Sequence, residues 1–503
     1  MNLNSLLAGV PVVGKHSFMD VEIKSISCDS RTVEPGALFV ALPGERTDGS
    51  QFIEQALQRG AAAVLCREVP MGRECCCFTT PDPRRALAHI AANWFEHPGD
   101  ELVLIGVTGT NGKTTTTYLI KAMLEGVLHT KVGLIGTNHV LIGGEELPTR
   151  NTTPDALQLQ QLLRRMVHQG CTHVVMEVSS HALVQHRVEG LKFQVGLFTN
   201  LTQDHLDYHH TMEEYRAAKE RLFRQSERAI LNLDDETGRY YAARVHCPVM
   251  TYSENKNAAD LTAKNIRLFS THVEFEGVAL GQIARVCLPI PGGFSIYNAL
   301  AALTCGLCLG IPLAEGAVPL RCVQGVKGRV EVVPVPTAYT VIIDYAHTPD
   351  ALEKILSTAR DFTAGRLICL FGCGGDRDRS KRPVMGAVAG DLADLVVVTS
   401  DNPRTEKPEE IIGEILSGLE ETQSCVYVEP DRERAIHLCL EIGQPGDVIV
   451  LAGKGHETWQ EIMSVRYPMD EREIVRKYFQ NRELKYAEKQ HHAGGKISAV
   501  MVK

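Results

Sequence analysis

The 503-residue sequence has no surplus of positive charge: 52 lysines and arginines face 61 aspartates and glutamates, for a net charge of −9. That balance excludes a general nucleic-acid or membrane-surface role and favours a small-molecule partner, so local basic clusters are read as sites. The first residues, MNLNSLLAGV, lack the basic start of a signal peptide and read as mature sequence of a cytoplasmic protein. An unbroken membrane span is missing too. Residues 286–314 carry no charge, but Pro289, Pro291, Gly292, Gly293, Asn298 and Pro312 interrupt them, which predicts a buried core helix and not a bilayer crossing. The 15 cysteines are scattered without a pairing pattern, so thiols are expected and a disulfide framework is not. Cys305 and Cys308 form a lone C-x-x-C with no second pair, which reads as buried thiols on a helix ahead of a zinc site.

One stretch organises the rest. Residues 102–117 read LVLIGVTGTNGKTTTT: an apolar run, a turn carrying Gly109 and Gly112, then Lys113, Thr114 and Thr115 opening a helical pattern. Strand, glycine loop and helix in that order make a phosphate cradle. Glycines let backbone N–H groups close on phosphate oxygens, the helix start adds positive dipole, Lys113 adds charge, and the Thr114 hydroxyl can reach Mg²⁺. The spacing is shorter than G-x-x-x-x-G-K-[ST]: position 107 is valine, so the match is G-x-x-G-K-[ST].

A chain of this length holds two to four domains. Residues 1 to about 98 alternate short strands (ALFVAL, AAAVLC) with a helix (SQFIEQALQRG), a small α/β domain whose loops at 28–31 and 43–49 do not by themselves justify a ligand. After the linker Glu96-His97-Pro98-Gly99-Asp100 a central domain opens with the cradle. Its strands THVVMEV and QVGLFTN lead to Glu177 and Asn200, at the ends where α/β sheets place ligands. Glu177 either holds Mg²⁺ or is a solvated strand-end carboxylate. The stretch DHLDYHH at 204–210 either supplies metal-side or phosphate-side groups or is a histidine-rich surface loop.

On the helical TMEEYRAAKERLF, Met212, Tyr215, Lys219, Leu222 and Phe223 share one face. Lys219 thus lies on an apolar stripe with no carboxylate three or four residues away, and either snorkels or has a specific task. From Tyr339 onward TVIIDYAH, RLICLFGCGGDRD, LVVVTSDNPR and DVIVLAGKGHE alternate with helical patterns. This predicts a parallel, doubly wound sheet with its polar loops at the carboxyl ends of the strands. The stretch from Lys485 shows no clear periodicity and is expected to fray.

GTNGKTT, EVSSHALVQHR, TNLTQDHLDYH, RAAKERLF, YNALAA, GRVE, DYAHTPDAL, FGCGGDRDRSKRP, SDNPR and AGKGHE closely resemble, in order and through the whole chain, the motifs of the Mur ligase family. These are ATP-dependent amide-forming enzymes of peptidoglycan precursor synthesis. The resemblance implies an α/β protein of three domains: a small α/β UDP-binding domain over 1–98, a central P-loop ATPase-like domain over 99–331, and a C-terminal Rossmann-like doubly wound domain over 332–490 that binds the amino acid, with a tail at 491–503. The implied reaction starts when ATP phosphorylates the side-chain carboxylate of the D-glutamate in UDP-MurNAc-dipeptide. The amine of meso-diaminopimelate then attacks the acyl phosphate, and phosphate leaves. Two anions must meet, so Mg²⁺ and Lys113 are needed to offset their repulsion.

By the same resemblance Gly109, Thr110, Asn111, Gly112, Lys113, Thr114 and Thr115 hold the ATP phosphates, Asn298 contacts adenine, and Arg329 and Asp344 contact ATP from the interdomain edge. Thr114, Glu177 and His205 are metal-side groups, and Lys113, Lys219 and His205 form the catalytic set. Lys219 matches a lysine that the family carries as its CO₂ adduct, a carbamate able to help bind a second Mg²⁺. The UDP-sugar side falls to Cys28, Ser30, Glu45, Arg46 and Thr47, and to Asn151, Thr152, Thr153, Ser179, Gln185 and Arg187. Position 28 is cysteine and the 45–47 loop is variable, which points to backbone contacts there. Arg377, Asp401, Asn402, Pro403, Arg404, Gly453 and Glu457 match the amino-acid site. Arg404 offers a planar fork to the far carboxylate that diaminopimelate has and L-lysine lacks.

Competing readings are a relative that adds L-lysine, a folate polyglutamylating ligase, and a scaffold that binds nucleotide without turnover. The N-terminal domain and EVSSHALVQHR speak against the folate ligase, and Lys113, Glu177, Lys219 and Arg404 together against the scaffold. Because the ATP and amino-acid motifs lie in different domains, closure is an expected step.

Overall fold

The computed structural model describes residues 1–10, 12–15, 21–44, 47–68, 76–149, 151–323 and 325–494. The chain parts into two compact units: Met1–Thr262 with Val278–Ile283 and Asn298–Pro319, and Ala263–Gly277 with Ala284–Tyr297 and Leu320–Lys503.

In the first unit the N-terminal sheet runs in the order Val13–Lys15, Cys77–Thr79, Ala63–Cys66, Ala37–Val40, Ser25–Ser27, parallel except for its first pair. ALFV and AVLC are continuous apolar runs because both of their faces are covered. Leu38, Val40 and Leu65 pack with the helix Pro83–Trp94, while Phe39, Val64 and Cys66 pack with Ile53 and Ala56 of the helix Ile53–Gln58. The expected linker is tied down. Arg164 donates to Phe95 O and Glu96 O at 2.9 Å each and pairs with Glu101 at 2.8 Å.

Eight consecutive strands of the 11-stranded central sheet lie in the same unit, in the order Val249–Ser253, Ser226–Asn232, Phe193–Phe198, Val103–Thr108, Cys171–Glu177, Lys131–Ile135, His139–Ile142, Glu145–Pro148, parallel up to Lys131–Ile135 and antiparallel beyond it. Its register sets Glu177 against Val107 and Phe198 against Thr108. Three strand ends therefore open side by side, with the helix Lys113–Leu128 starting just beyond the middle one.

The sheet of the second unit has the order Glu331–Val333, Thr340–Asp344, Val448–Ala452, Leu367–Phe371, Leu395–Val398, Cys425–Val428. Five strands are parallel: the four that the alternating pattern predicts and, beyond that prediction, Cys425–Val428; the sixth corrects an all-parallel reading, since Glu331–Val333 pairs antiparallel at the edge. The sheet is doubly wound, and its alternate residues show how. Ile342, Cys369, Phe371, Val396, Val398 and Val450 face Leu352, Leu356, Met385 and Ile415, whereas Val341, Ile343, Ile368, Leu370, Val397 and Leu451 face Ile436, Leu440 and Val475. The last helix, Glu471–Gly494, runs through Lys485 where fraying was expected.

Among the described residues no helix is long and apolar enough to cross a membrane, and the uncharged stretch forms the helix Phe294–Cys308. Cys305 and Cys308 are free and buried, and Cys77 is the exception to the expected thiols, being disulfide-bonded.

Candidate active site

Val103–Thr108 runs straight into Gly109, whose missing side chain is required: a Cβ there would lie 1.9 Å from Thr199 Oγ1. The neighbouring strand end then fixes the loop. Thr110 N–H donates to Asn200 O at 2.8 Å, Asn111 N–H to Asn200 Oδ1 at 2.9 Å, and Thr199 Oγ1 to Asn111 O at 2.6 Å. Gly112, left-handed at φ 82, caps the helix, and a Cβ there would lie 2.5 Å from Asn298 Oδ1, which accepts from Thr116 Oγ1 at 3.3 Å. Asn298 is thus buried against the cradle, and Thr114 and Thr115 are buried in the helix's first turn. Lys113 Nζ donates to Gly109 O at 2.9 Å and Thr110 O at 2.8 Å. The ammonium curls over its own loop.

Glu177 is fully buried, which overturns the solvated alternative. Oε1 accepts the Thr137 N–H at 2.8 Å and Oε2 the Thr137 hydroxyl at 3.1 Å, and no cationic side chain pairs with it among the described residues. A buried carboxylate met only by neutral donors is a ready ligand for a cation. Thr137 escaped the motif reading, although it follows the apolar run KVGLI at the same sheet edge.

Around Glu177 gather the residues matched to the UDP-sugar side. Thr137 Oγ1 lies 3.1 Å from Thr152 Oγ1, Thr153 Oγ1 donates to Glu177 O at 2.8 Å, and Ser179 N–H donates to Thr153 Oγ1 at 3.1 Å. Arg187 donates to Thr153 O at 2.7 Å and, through Nη2 and Nε, to Gln185 Oε1 at 2.8 and 3.1 Å. Asn151 continues this loop, its carbonyl accepting from Thr149 Oγ1 at 2.6 Å. In the N-terminal sheet's loops the Ser30 hydroxyl is buried on Gln55 Oε1 at 2.7 Å, and Cys28 and Thr47 are exposed. Glu45 and Arg46 lie outside the described residues.

Lys219 is buried on the helix Met212–Glu220 with Tyr215, followed by Leu222 and Phe223, so it does not snorkel. Its ammonium donates to Gly109 O at 2.8 Å and lies 4.4 Å from the centre of the Tyr215 ring. Burial first and the neighbouring Lys113 second push its pKa well below the ordinary lysine range, with Asp204 opposing.

Beside it is a ring cluster that sequence reasoning did not assemble. The His181 ring is 4.9 Å from His205, 4.2 Å from Tyr208 and 5.5 Å from His209, and His209 is 5.0 Å from Tyr215. The segment is not simply a surface loop: Leu206–His209 is a helical turn, and buried His209 sets Nε2 2.8 Å from Ser180 Oγ. His205 itself is half-exposed, left-handed at φ 52, with Nε2 3.5 Å from Asp204 Oδ2.

In the second unit the parallel register aligns Asp344 with Ala452, so the loops after both begin at one edge. Asp344 accepts the Val330 and Ala346 N–H groups at 2.8 Å each, and burial raises its pKa against those bonds and the nearby Arg329. Arg329 lies 5.5 Å from the Tyr345 ring centre. Gly453, at φ 113, is where a Cβ would approach Asp401 Oδ2 to 2.8 Å.

Arg404 is left-handed at φ 51, held by its N–H on Glu461 O at 3.1 Å and by Met463 N–H on its carbonyl at 2.7 Å. Its guanidinium donates to Gly375 O at 2.6 Å. A Cβ on Gly374 would lie 2.9 Å from Arg404 Nη1 and 3.8 Å from Arg377 Cγ, so both arginines border that glycine. A Cβ on Gly375 would lie 1.9 Å from Pro403 O, so this loop and the one carrying Asp401 to Arg404 touch through backbone. Asn402 Nδ2 donates to Glu457 Oε2 at 3.0 Å.

Residues 107–306 match the model of the Mur ligase middle domain, 328–455 that of the Mur ligase glutamate ligase domain, and 22–75 that of the Mur ligase family catalytic domain. The UDP-N-acetylmuramoyl-L-alanyl-D-glutamate--2,6-diaminopimelate ligase of Caldanaerobacter subterraneus subsp. tengcongensis is 44% identical over 488 residues, 96% of this chain and 100% of the relative. The ligase of the same name from Gloeobacter violaceus is 45% identical over 496 residues, 96% of this chain and 99% of the relative. A solved structure bearing that name superposes with a TM-score of 0.74 at 33% identity, covering 96% of this chain and 99% of the other.

Proposed function

The chain belongs to the Mur ligase family, and from that membership we propose that it joins meso-2,6-diaminopimelate to UDP-N-acetylmuramoyl-L-alanyl-D-glutamate in peptidoglycan precursor synthesis. It is an ATP-dependent, peptide-bond-forming ligase. The observation that carries the reading is likeness over nearly the full length to ligases of that name. We read its domains as 1–98, 99–331 and 332–490, and its place as the cytoplasm, where ATP and a UDP-sugar are available.

The cradle of Gly109 to Thr115 binds the ATP phosphates, with Lys113 turning from its loop carbonyls to the transferring phosphoryl group. Asn298, Arg329 and Asp344 hold the rest of the nucleotide. The D-glutamate side-chain carboxylate takes the γ-phosphoryl group, ADP forms, the diaminopimelate amine attacks the acyl carbon, and phosphate leaves with loss of a proton from nitrogen. The network of Asn151 to Thr153, Ser179, Gln185 and Arg187 orients the UDP-sugar dipeptide, with Cys28, Ser30 and the 45–47 loop on its uridine. Thr114, Glu177 and His205 would hold Mg²⁺, and what supports this is the buried Glu177 carboxylate, met only by neutral donors among the described residues. When bound there, Mg²⁺ would supply charge to offset the repulsion of the two anions.

Lys219 suits carbamylation for a physical reason: a neutral amine, not an ammonium, adds CO₂ to give the carbamate and a proton, and its pKa is strongly depressed. That carboxylate would offer a further metal ligand. Arg377 and Asp401 to Arg404, with Gly453 and Glu457, take diaminopimelate. The experiment is ADP release with UDP-MurNAc-dipeptide and each candidate amino acid. Release with meso-diaminopimelate and little with L-lysine is expected, and equal release with both would overturn the amino-acid assignment.

A further inference from the structure

The motifs do not single out Lys454, although its side chain is fully withdrawn from water. Its ammonium donates to Asn402 Oδ1 at 2.7 Å and to Glu457 Oε2 at 3.1 Å, and lies 5.4 Å from the Trp459 ring centre. Asn402, itself buried, closes the triangle: Nδ2 donates to Glu457 Oε2 at 3.0 Å, and Oδ1 also accepts the Glu461 N–H at 2.9 Å. An ammonium only donates and a carboxylate only accepts, so the two charges permit one orientation of the Asn402 amide. Both bonds to Glu457 fall on Oε2, and Oε1 accepts nothing among the described residues.

Arg404 follows two residues after Asn402, with Nε 3.7 Å from Glu461 Oε2. One open carboxylate oxygen thus lies beside the locked amide, and the loop that carries the amide also carries the Arg404 guanidinium, held on Gly375 O at 2.6 Å. A carbon bearing both an ammonium and a carboxylate matches that pair of charges, and the far end of diaminopimelate is such a carbon. L-Lysine has the ammonium alone.

We propose that Lys454 is a positioning residue for the amino-acid site. It fixes Asn402 and Glu457 Oε2 so that Oε1 meets the far ammonium of diaminopimelate while Arg404 takes the adjoining carboxylate. Lys454 touches no reacting atom, and the inference rests on Asn402, Arg404 and Glu457 being the amino-acid site. Its charge also keeps the half-buried Glu457 from being an unpaired carboxylate, which is costly away from water.

The test compares meso-diaminopimelate with 2-aminopimelate, which keeps the far carboxylate and lacks the far ammonium, using the full chain with ATP and UDP-MurNAc-dipeptide. The unmodified protein should show a KM for diaminopimelate about 10- to 100-fold below that for 2-aminopimelate, the range of a hydrogen bond to a charged group. Lys454→Met should raise the KM for diaminopimelate by about the same factor and move that for 2-aminopimelate less than about threefold. Lys454→Gln keeps a donor for Asn402 Oδ1 in case the apolar variant fails to fold, and should recover only part of the preference. A preference unchanged in both variants, or a KM raised equally for both compounds, overturns the positioning role. An unmodified protein that releases ADP with neither compound overturns the ligase reading, and the inference falls with it.

Discussion

Lys219 and Lys454 are both shut away from water, 1% and 0% exposed, and are held in opposite ways. The ammonium of Lys219 has one carbonyl, one aromatic face and a second lysine nearby, which drives its pKa far down. The ammonium of Lys454 has an amide oxygen and a carboxylate. Burial alone therefore does not say what a lysine does. With a second lysine close by and only a carbonyl and an aromatic face to meet, burial pushes Lys219 towards the neutral amine, whereas Lys454 is held between an amide oxygen and a carboxylate that it orients.

The largest effect expected lies beside Lys219, at Lys113, whose ammonium donates to two carbonyls of its own loop. Lys113→Ala should lower ADP release by about 10³-fold or more, with the melting temperature little changed. Near-normal release by the folded variant would remove the cradle from the reaction. Lys219→Ala should cost about 10²- to 10³-fold in turnover, and an added short carboxylic acid should restore part of it by standing in for the carbamate. The same acid should do nothing for Lys454→Met, and rescue of both variants would erase the contrast.

Lys219 also predicts a pH dependence. The unfolded chain keeps this proton up to the ordinary value of 10.5, whereas the folded chain gives it up at a lower pH. The unfolded state binds more protons in that window, so the stability of the unmodified protein relative to Lys219→Met rises with pH there, by at most about 1.4 kcal/mol per unit, and is lost as pH falls through the depressed value. Urea unfolding of both proteins between pH 7 and 9.5 measures it, and a constant difference would contradict the depressed pKa.

Around Lys454 the next effect belongs to Arg404. Unmodified protein should prefer meso-diaminopimelate to L-lysine by about 30- to 1000-fold, and Arg404→Ala should bring the two specificity constants together while changing the KM for ATP less than about threefold. The smallest effect expected is at Thr137. Thr137→Val removes the hydroxyl from Glu177 Oε2 and leaves the N–H, and should raise the Mg²⁺ concentration for half-maximal rate about tenfold. A Mg²⁺ titration superimposable on that of the unmodified protein would mean that Glu177 needs no such support.

Much of this was legible along the chain. The cradle announces itself through an apolar run, two glycines, and a lysine before threonines, and the doubly wound sheet through strands apolar at every position because helices cover both faces. Lys219 stands out because it interrupts an apolar stripe. The edge strand Glu331–Val333 escaped because three residues carry no periodicity. The end of Glu471–Gly494 escaped because its polar sequence has no apolar stripe to follow.

The sequence by itself determined what depends on near neighbours: backbone freedom at Gly109 and Gly112, the strand-and-helix alternation, the order of the motifs, and which charged groups were present to be used. Only the tertiary structure decided which of those groups meet. Thr137 reaches Glu177 across 40 positions, Lys454 reaches Asn402 across 52, and Lys219 reaches Gly109 across 110. Hydrogen bonding, desolvation and the field of a neighbouring charge act over a few ångströms of space whatever the distance along the chain. The same residue type, equally buried, therefore becomes a depressed amine in one unit and a paired ammonium in the other.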